Sequence, residues 1–133
     1  MDARIAAELE LLRSVFPDVQ HAESGFHWFL LPKYPMGDIG GWTPQPLPVA
    51  FHAQQAHPGT QPYGIYVPSD VLFQGRPPNN ITAAGNHPPF PGSWSIMSWS
   101  PQGGQWRPTA EIQRGSNLLN WALGFADRFR EGR

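Results

Sequence analysis

The sequence predicts an α+β domain in which a helix at each end flanks a four-stranded antiparallel meander, with a long irregular loop ahead of the last strand. Three observations predict it. Fifteen of the 16 prolines lie between Pro32 and Pro108, so the two ends are the stretches freest to form helices. Both ends carry apolar residues at helical spacing. The proline-rich middle holds four short runs of aromatic and β-branched residues bounded by Pro and Gly. A chain of 133 residues has room for one domain with a real core, residues 1–133, and not for two.

The elements follow in order. Ile5, Leu9, Leu12 and Phe16 recur at helical intervals with Arg4, Glu8, Glu10 and Arg13 between them, and Pro17 stops the pattern, which predicts an amphipathic helix over 2–16. Strands are predicted over 26–31 (Phe-His-Trp-Phe-Leu-Leu), 48–52 (Pro-Val-Ala-Phe-His), 64–67 (Gly-Ile-Tyr-Val) and 94–99 (Trp-Ser-Ile-Met-Ser-Trp). Residues 68–93, including Arg76-Pro77-Pro78-Asn79-Asn80 and the stretch from His87 to Gly92, show no periodicity. They are too long for an idle connection in so small a domain, which marks them as the functional loop. Leu118, Trp121, Ala122, Phe125 and Phe129 share one face of a second helix over 116–131, with Ser116 as its N-cap and Arg128, Arg130 and Arg133 near its C-terminal end.

Composition narrows the chemistry. Nine Lys and Arg against ten Asp and Glu give a net charge of −1, without the basic field that non-specific nucleic-acid binding needs. The absence of Cys removes disulfides, thiolate zinc sites and any cysteine nucleophile. No apolar run approaches the roughly 20 residues that span a bilayer and no signal peptide is visible, so the expectation is a soluble, cytoplasmic protein that binds neither nucleic acid nor membrane. No His pair has metal-ligand spacing and no glycine-rich loop carries the Lys of a phosphate cradle, so neither a metal nor a cofactor is expected. Six Trp either fill the core and seal loops or form a stacking platform, the first being the commoner use. Ser93, Ser95, Ser98 and Ser100 cluster on the last strand, without a Gly-x-Ser-x-Gly elbow.

Several short motifs stand in a suggestive order. Phe51, then His57-Pro58-Gly59-Thr60-Gln61-Pro62, then Ile65-Tyr66, then Pro78-Asn79-Asn80-Ile81, then Trp106-Arg107-Pro108 and the apolar helix from Ser116 together resemble the ubiquitin-conjugating enzyme fold. In this likeness Pro78-Asn79-Asn80-Ile81 is similar to the family's His-Pro-Asn-Ile, with the His missing and one Asn extra, and Trp106-Arg107-Pro108 is similar to its Trp-Ser/Thr-Pro. Phe26–Pro32, Tyr63–Val67, Trp94-x-x-Met97-Ser98-Trp99 and Asn117-Leu118-Leu119-x-Trp121 resemble a divergent prokaryotic branch. That branch acts with an adenylating enzyme, a ubiquitin-like protein and a deconjugating peptidase, and the resemblance implies a role in defence against phage. The resemblance implies transfer of a ubiquitin-like protein from the activating enzyme to a target.

The chain departs from the family at the nucleophile, because the family forms a thioester on a Cys and this chain has none. Two readings follow. In the first, a serine carries the ubiquitin-like C-terminus as an oxyester. Ser98 lies eight residues before Trp106, near the family's Cys-to-Trp spacing, and Ser95 follows Gly92-Ser93-Trp94 as the Cys follows Gly-x-Ile. On a regular strand the two point to opposite faces, and Ser98 is preferred. A hydroxyl needs a base, for which His87, and after it His57, is the candidate, while Asn79 or Asn80 takes the role of the family's oxyanion-stabilising Asn. In the second reading the domain is catalytically inactive and binds the ubiquitin-like protein or its activating enzyme as an adaptor. By resemblance the first helix meets the activating enzyme, through an exposed face carrying Arg4, Glu8 and Arg13.

Overall fold

The computed structural model describes residues 2–85, 87–101 and 105–133. The fold is α+β: an N-terminal helix, an antiparallel sheet and a C-terminal helical segment. Helix α1 spans Ala3–Arg13, and the Asp2 carboxylate caps it by accepting the Ile5 N–H at 2.8 Å. Its apolar stripe is buried as expected, with Ile5, Leu9 and Leu12 inside, and Phe16 joins them from just beyond the helix end.

The four predicted strands all form and stand side by side in the predicted order: β2 (Phe26–Leu31), β4 (Val49–Ala53), β5 (Ile65–Pro68) and β8 (Trp94–Met97). The sheet is larger than expected. β1 (Gln20–Ser24) pairs with β2 through a tight turn at Gly25, and β7 (Ile81–Gly85) pairs with β8, giving six antiparallel strands in the order β1-β2-β4-β5-β8-β7. A two-stranded ribbon of β3 (Trp42–Thr43) and β6 (Leu72–Phe73) lies beside it. The stretch 68–93, read from the sequence as one loop, therefore contains two strands. The sequence Ile-Thr-Ala-Ala-Gly of β7 is half exposed at the sheet edge, and Ile81 is its one large apolar residue, too little to announce a strand.

Side chains on the central strands alternate between two apolar layers. Phe29, Leu31, Phe51, Val67 and Met97 face the helices and join Leu12, Trp121, Phe125 and Phe129 in the main core. Trp28, Leu30, Ala50, Tyr66 and Trp94 form a smaller cluster on the outer face, against which Phe90 packs. Four of the six Trp are buried in these clusters, so they serve mainly as core.

The C-terminal helix is two pieces, α2 (Leu118–Leu123) and α3 (Phe125–Glu131), rather than one. At Gly124 a β-carbon would lie 2.9 Å from the Trp99 ring, and Asp127 N–H bonds back only three residues to Gly124. The close approach of Trp99 thus selects a glycine where the helix tightens. The N-cap is Asn117, whose side chain accepts from Asn120 N–H, while the Ser116 hydroxyl accepts from Arg107 N–H. Among the described residues no helix is long and apolar enough to cross a membrane.

One expectation about α1 is overturned. Glu8, assigned to its exposed face, is fully buried. Its carboxylate accepts from Arg4 Nε at 3.1 Å and from Leu118 N–H at 2.7 Å, and a further hydrogen bond joins it to His57 Nε2. Three segments distant in sequence meet on this one side chain, and its polar partners outweigh the cost of burying a charge.

Candidate functional site

The serine cluster divides between two environments. Ser95 sits mid-strand on β8, opposite Val67 and Ala83, and is buried, with its hydroxyl 3.4 Å from that of Ser69. Ser98 lies one residue past the end of β8, where the chain leaves the sheet, and is exposed. Its N–H donates to the Asn80 carbonyl at 3.0 Å, which extends the β7–β8 pairing by one step and fixes the Ser98 backbone. The Ser98 hydroxyl is hydrogen-bonded to the Tyr63 hydroxyl.

Ser98 and Asn80 line a cleft of about 490 Å³ whose other walls include Trp99, Asp127, Arg128 and Glu131. Asn80 reaches it in the left-handed backbone region, with φ of 56°, a conformation that Asn tolerates better than most residues. Asn79 faces a different depression beside Arg76 and Arg133, and its carbonyl accepts from Arg128 Nη2 at 3.0 Å. Of the two asparagines, Asn80 shares the cleft with Ser98.

Arg128 is an unusual wall. It is only 3% exposed, its guanidinium lies 5.8 Å from the centre of the Trp42 ring, and among the described residues no carboxylate is within ion-pair distance of it. Among the described residues its Nη1 is buried without a hydrogen-bond partner. Burial draws its pKa below the ordinary arginine value, an effect that the negative charge of Glu131 partly offsets. A fixed positive charge thus stands beside the cleft, held between α3, the indole and the Asn79 turn.

The two histidines lie elsewhere. His87 packs over the outer face of the sheet, with its ring 5.2 Å from that of Trp28 and 6.4 Å from that of His52. Burial holds the His52 imidazole below its ordinary value, with a smaller contribution from the charge of His87. His57 is buried against Glu8, and its ring stands 5.9 Å from that of Trp106. Among the described residues no histidine is hydrogen-bonded to Ser98 or Ser95. The structure therefore brings Ser98 and Asn80 together, keeps Ser95 inside the sheet, and leaves His87 and His57 at other places.

Sequence reasoning missed two neighbours of Ser98, Tyr63 and Arg128. Tyr63 stands 35 residues away, just before β5, and arrives because Gly64 N–H bonds to the Trp99 carbonyl at 3.3 Å. Arg128 reads in the sequence as a helix-end charge, yet it stands three residues after Phe125 and seven after Trp121, a spacing that places it on the buried stripe. Among the described residues no group of three or more His, Asp or Glu side chains is placed to hold a metal ion.

Comparison with protein-family models, curated proteins and solved structures finds no match to this chain.

Proposed function

We propose that the protein is a ubiquitin-conjugating-enzyme-like transferase of a cytoplasmic, prokaryotic ubiquitin-like pathway, with Ser98 as the residue that carries the ubiquitin-like protein. The observation that carries this reading is the shared cleft of Ser98 and Asn80, two residues that lie 18 positions apart and occupy the nucleophile and oxyanion positions of the resemblance. The transfer balances simply. Ser98 Oγ attacks the carbonyl carbon of the thioester on the activating enzyme, the new C–O bond replaces the C–S bond, and the departing thiolate is protonated. An amine of the target then displaces Ser98 in the same manner.

Asn80 supports the tetrahedral intermediate by donating its side-chain N–H to the oxyanion, where one such donor is typically worth about 2.7–4 kcal/mol. The positive charge of Arg128 on the same wall favours the same developing negative charge. Ser95 is a poor acceptor because a bulky thioester cannot approach a residue only 6% exposed within the sheet.

The adaptor reading is favoured by one observation, the absence of a histidine at Ser98 among the described residues. In either reading α1 meets the activating enzyme. With Glu8 turned inward, its exposed charges there are Glu10 and Arg13, which pair with each other.

The test is incubation with a cognate activating enzyme, ATP and ubiquitin-like protein. An adduct stable to reducing agent, cleaved by hydroxide, and absent from Ser98→Ala is expected. Binding without an adduct, when the upstream enzyme is demonstrably charged, leaves the adaptor. An adduct that persists in Ser98→Ala and vanishes in Ser95→Ala moves the site to the strand.

A further inference from the structure

The geometry points to Tyr63 as the proton relay of Ser98, making a tyrosine–serine hydroxyl pair the nucleophilic centre in place of a serine–histidine pair. This rests on the reading of Ser98 as nucleophile and names the group that serves it.

A serine hydroxyl at neutral pH attacks a carbonyl only if its proton leaves as the new bond forms. The Ser98 hydroxyl has one side-chain partner among the described residues, the Tyr63 hydroxyl. The contact is built by backbone on both sides. Ser98 N–H is tied to the Asn80 carbonyl at 3.0 Å, and Gly64 N–H is tied to the Trp99 carbonyl at 3.3 Å, so the residues flanking the pair are anchored to neighbouring segments. Gly64 has φ of 76°, and a β-carbon there would lie 2.8 Å from the Ile96 side chain. The backbone that presents Tyr63 is therefore one only glycine accommodates without strain.

Tyr63 is also 53% exposed, high for a large aromatic side chain in a molecule whose other two tyrosines are buried. Half in water and half against Ser98, its hydroxyl accepts one proton and passes its own to solvent or to a leaving group. The step is a concerted relay. Ser98 Oγ–H transfers its proton to Tyr63 Oη as the Oγ–C bond forms, and the Tyr63 Oη proton moves out to the departing thiolate, directly or through water. No oxidant or additional reactant is required, and the phenol is regenerated at once.

The experiment uses a fluorophosphonate probe on the full chain, because it reads serine nucleophilicity without the conjugation partners. Oγ–P forms, P–F breaks, and fluoride leaves as the proton exits through the relay. Wild type is expected to label at Ser98, Ser98→Ala not at all, and Tyr63→Phe about 100-fold more slowly, within the usual range for a positioned proton-transfer group. Tyr63→His, which restores a proton acceptor at the same place, is expected to recover part of the rate. An unchanged urea midpoint in Tyr63→Phe checks that the fold is intact.

Labelling of Tyr63→Phe at the wild-type rate, or no labelling of Ser98 in wild type, overturns the relay. The adduct assay separates the two claims. Tyr63-dependent labelling without any ubiquitin-like adduct leaves the hydroxyl pair standing and removes the conjugation reading. An adduct at Ser98 that forms equally fast in Tyr63→Phe does the reverse.

Discussion

Glu8→Ala is the perturbation whose cost the structure makes most definite. Glu8 is fully buried and accepts from Arg4 on its own helix and from Leu118 N–H at the start of α2, and it is hydrogen-bonded to His57 in the turn after β4. Alanine leaves the Leu118 N–H and the His57 Nε2 without their acceptor in an interior closed to water, and each such buried donor costs about 1–3 kcal/mol. Removing one partner of a buried charged pair costs about 3–5 kcal/mol in all, against a total stability of about 5–15 kcal/mol for a domain. With a urea dependence of about 1–3 kcal/mol per molar, the unfolding midpoint falls by about 1 M or more. Fluorescence of the buried Trp28 and Trp121 reads it.

The acid limb supplies a second reading of the same residue. Burial alone would raise the Glu8 pKa, but the hydrogen bonds from His57 and Leu118 N–H, with the charges nearby, more than offset it and hold the carboxyl below its usual 4.5. The folded pKa is depressed, so the stabilisation is present above the unfolded value and is lost as pH falls through the folded one. Wild type therefore loses this increment below about pH 4.5, and Glu8→Gln, which keeps the shape without the titration, does not. A midpoint in Glu8→Ala within 0.2 M (about the measurement error) of wild type, or an acid limb in Glu8→Gln identical to wild type, would refute the reasoning.

Two further substitutions probe the frame of the site. Gly64→Ala forces a β-carbon against Ile96 and the Met97 carbonyl at a positive φ, and is expected to lower stability by about 1–3 kcal/mol, seen as a drop of several degrees in thermal unfolding. Arg128→Met fills a similar volume but loses both the guanidinium over the Trp42 ring and the hydrogen bond to the Asn79 carbonyl, a charged bond worth about 1.5–3 kcal/mol. The Asn79–Asn80 turn then loosens, and amide hydrogen exchange at Ser98, whose N–H bonds to Asn80, is expected to quicken about tenfold. Unchanged exchange at Ser98 would show that the turn holds without the arginine.

Much of the fold was legible because it rests on local rules. The α1 stripe from Ile5 to Phe16 and the C-terminal stripe from Leu118 to Phe129 are periodicities that any amphipathic helix must obey, and both are buried as the spacing predicts. The runs at 26–31, 48–52, 64–67 and 94–99 combine β-favouring residues with Pro and Gly boundaries, and each forms a strand, the last ending at Met97. The edge strands were hidden for the opposite reason. Gln20–Ser24 is polar or small, Ile81–Gly85 is so after its first residue, and both are strands because a neighbour offers them a ladder.

For the site, the sequence by itself determined that there is no thiol, that serines cluster near Trp99, and that an asparagine pair follows Pro78. Only the tertiary structure decided which of these meet. Ser98 and Ser95 differ by three residues, yet one is open to a cleft and the other is buried in the sheet, because β8 stops pairing with β5 at Met97. Asn80, in the left-handed region with φ of 56°, shares the cleft, and Asn79 faces the neighbouring depression. Tyr63 reaches Ser98 across 35 residues, and Glu8 reaches Leu118 across 110. Spacing along a chain fixes which side chains share a helix face or a strand face. Which faces then meet depends on sheet order and on the burial each contact satisfies, quantities that exist only once the whole chain has packed.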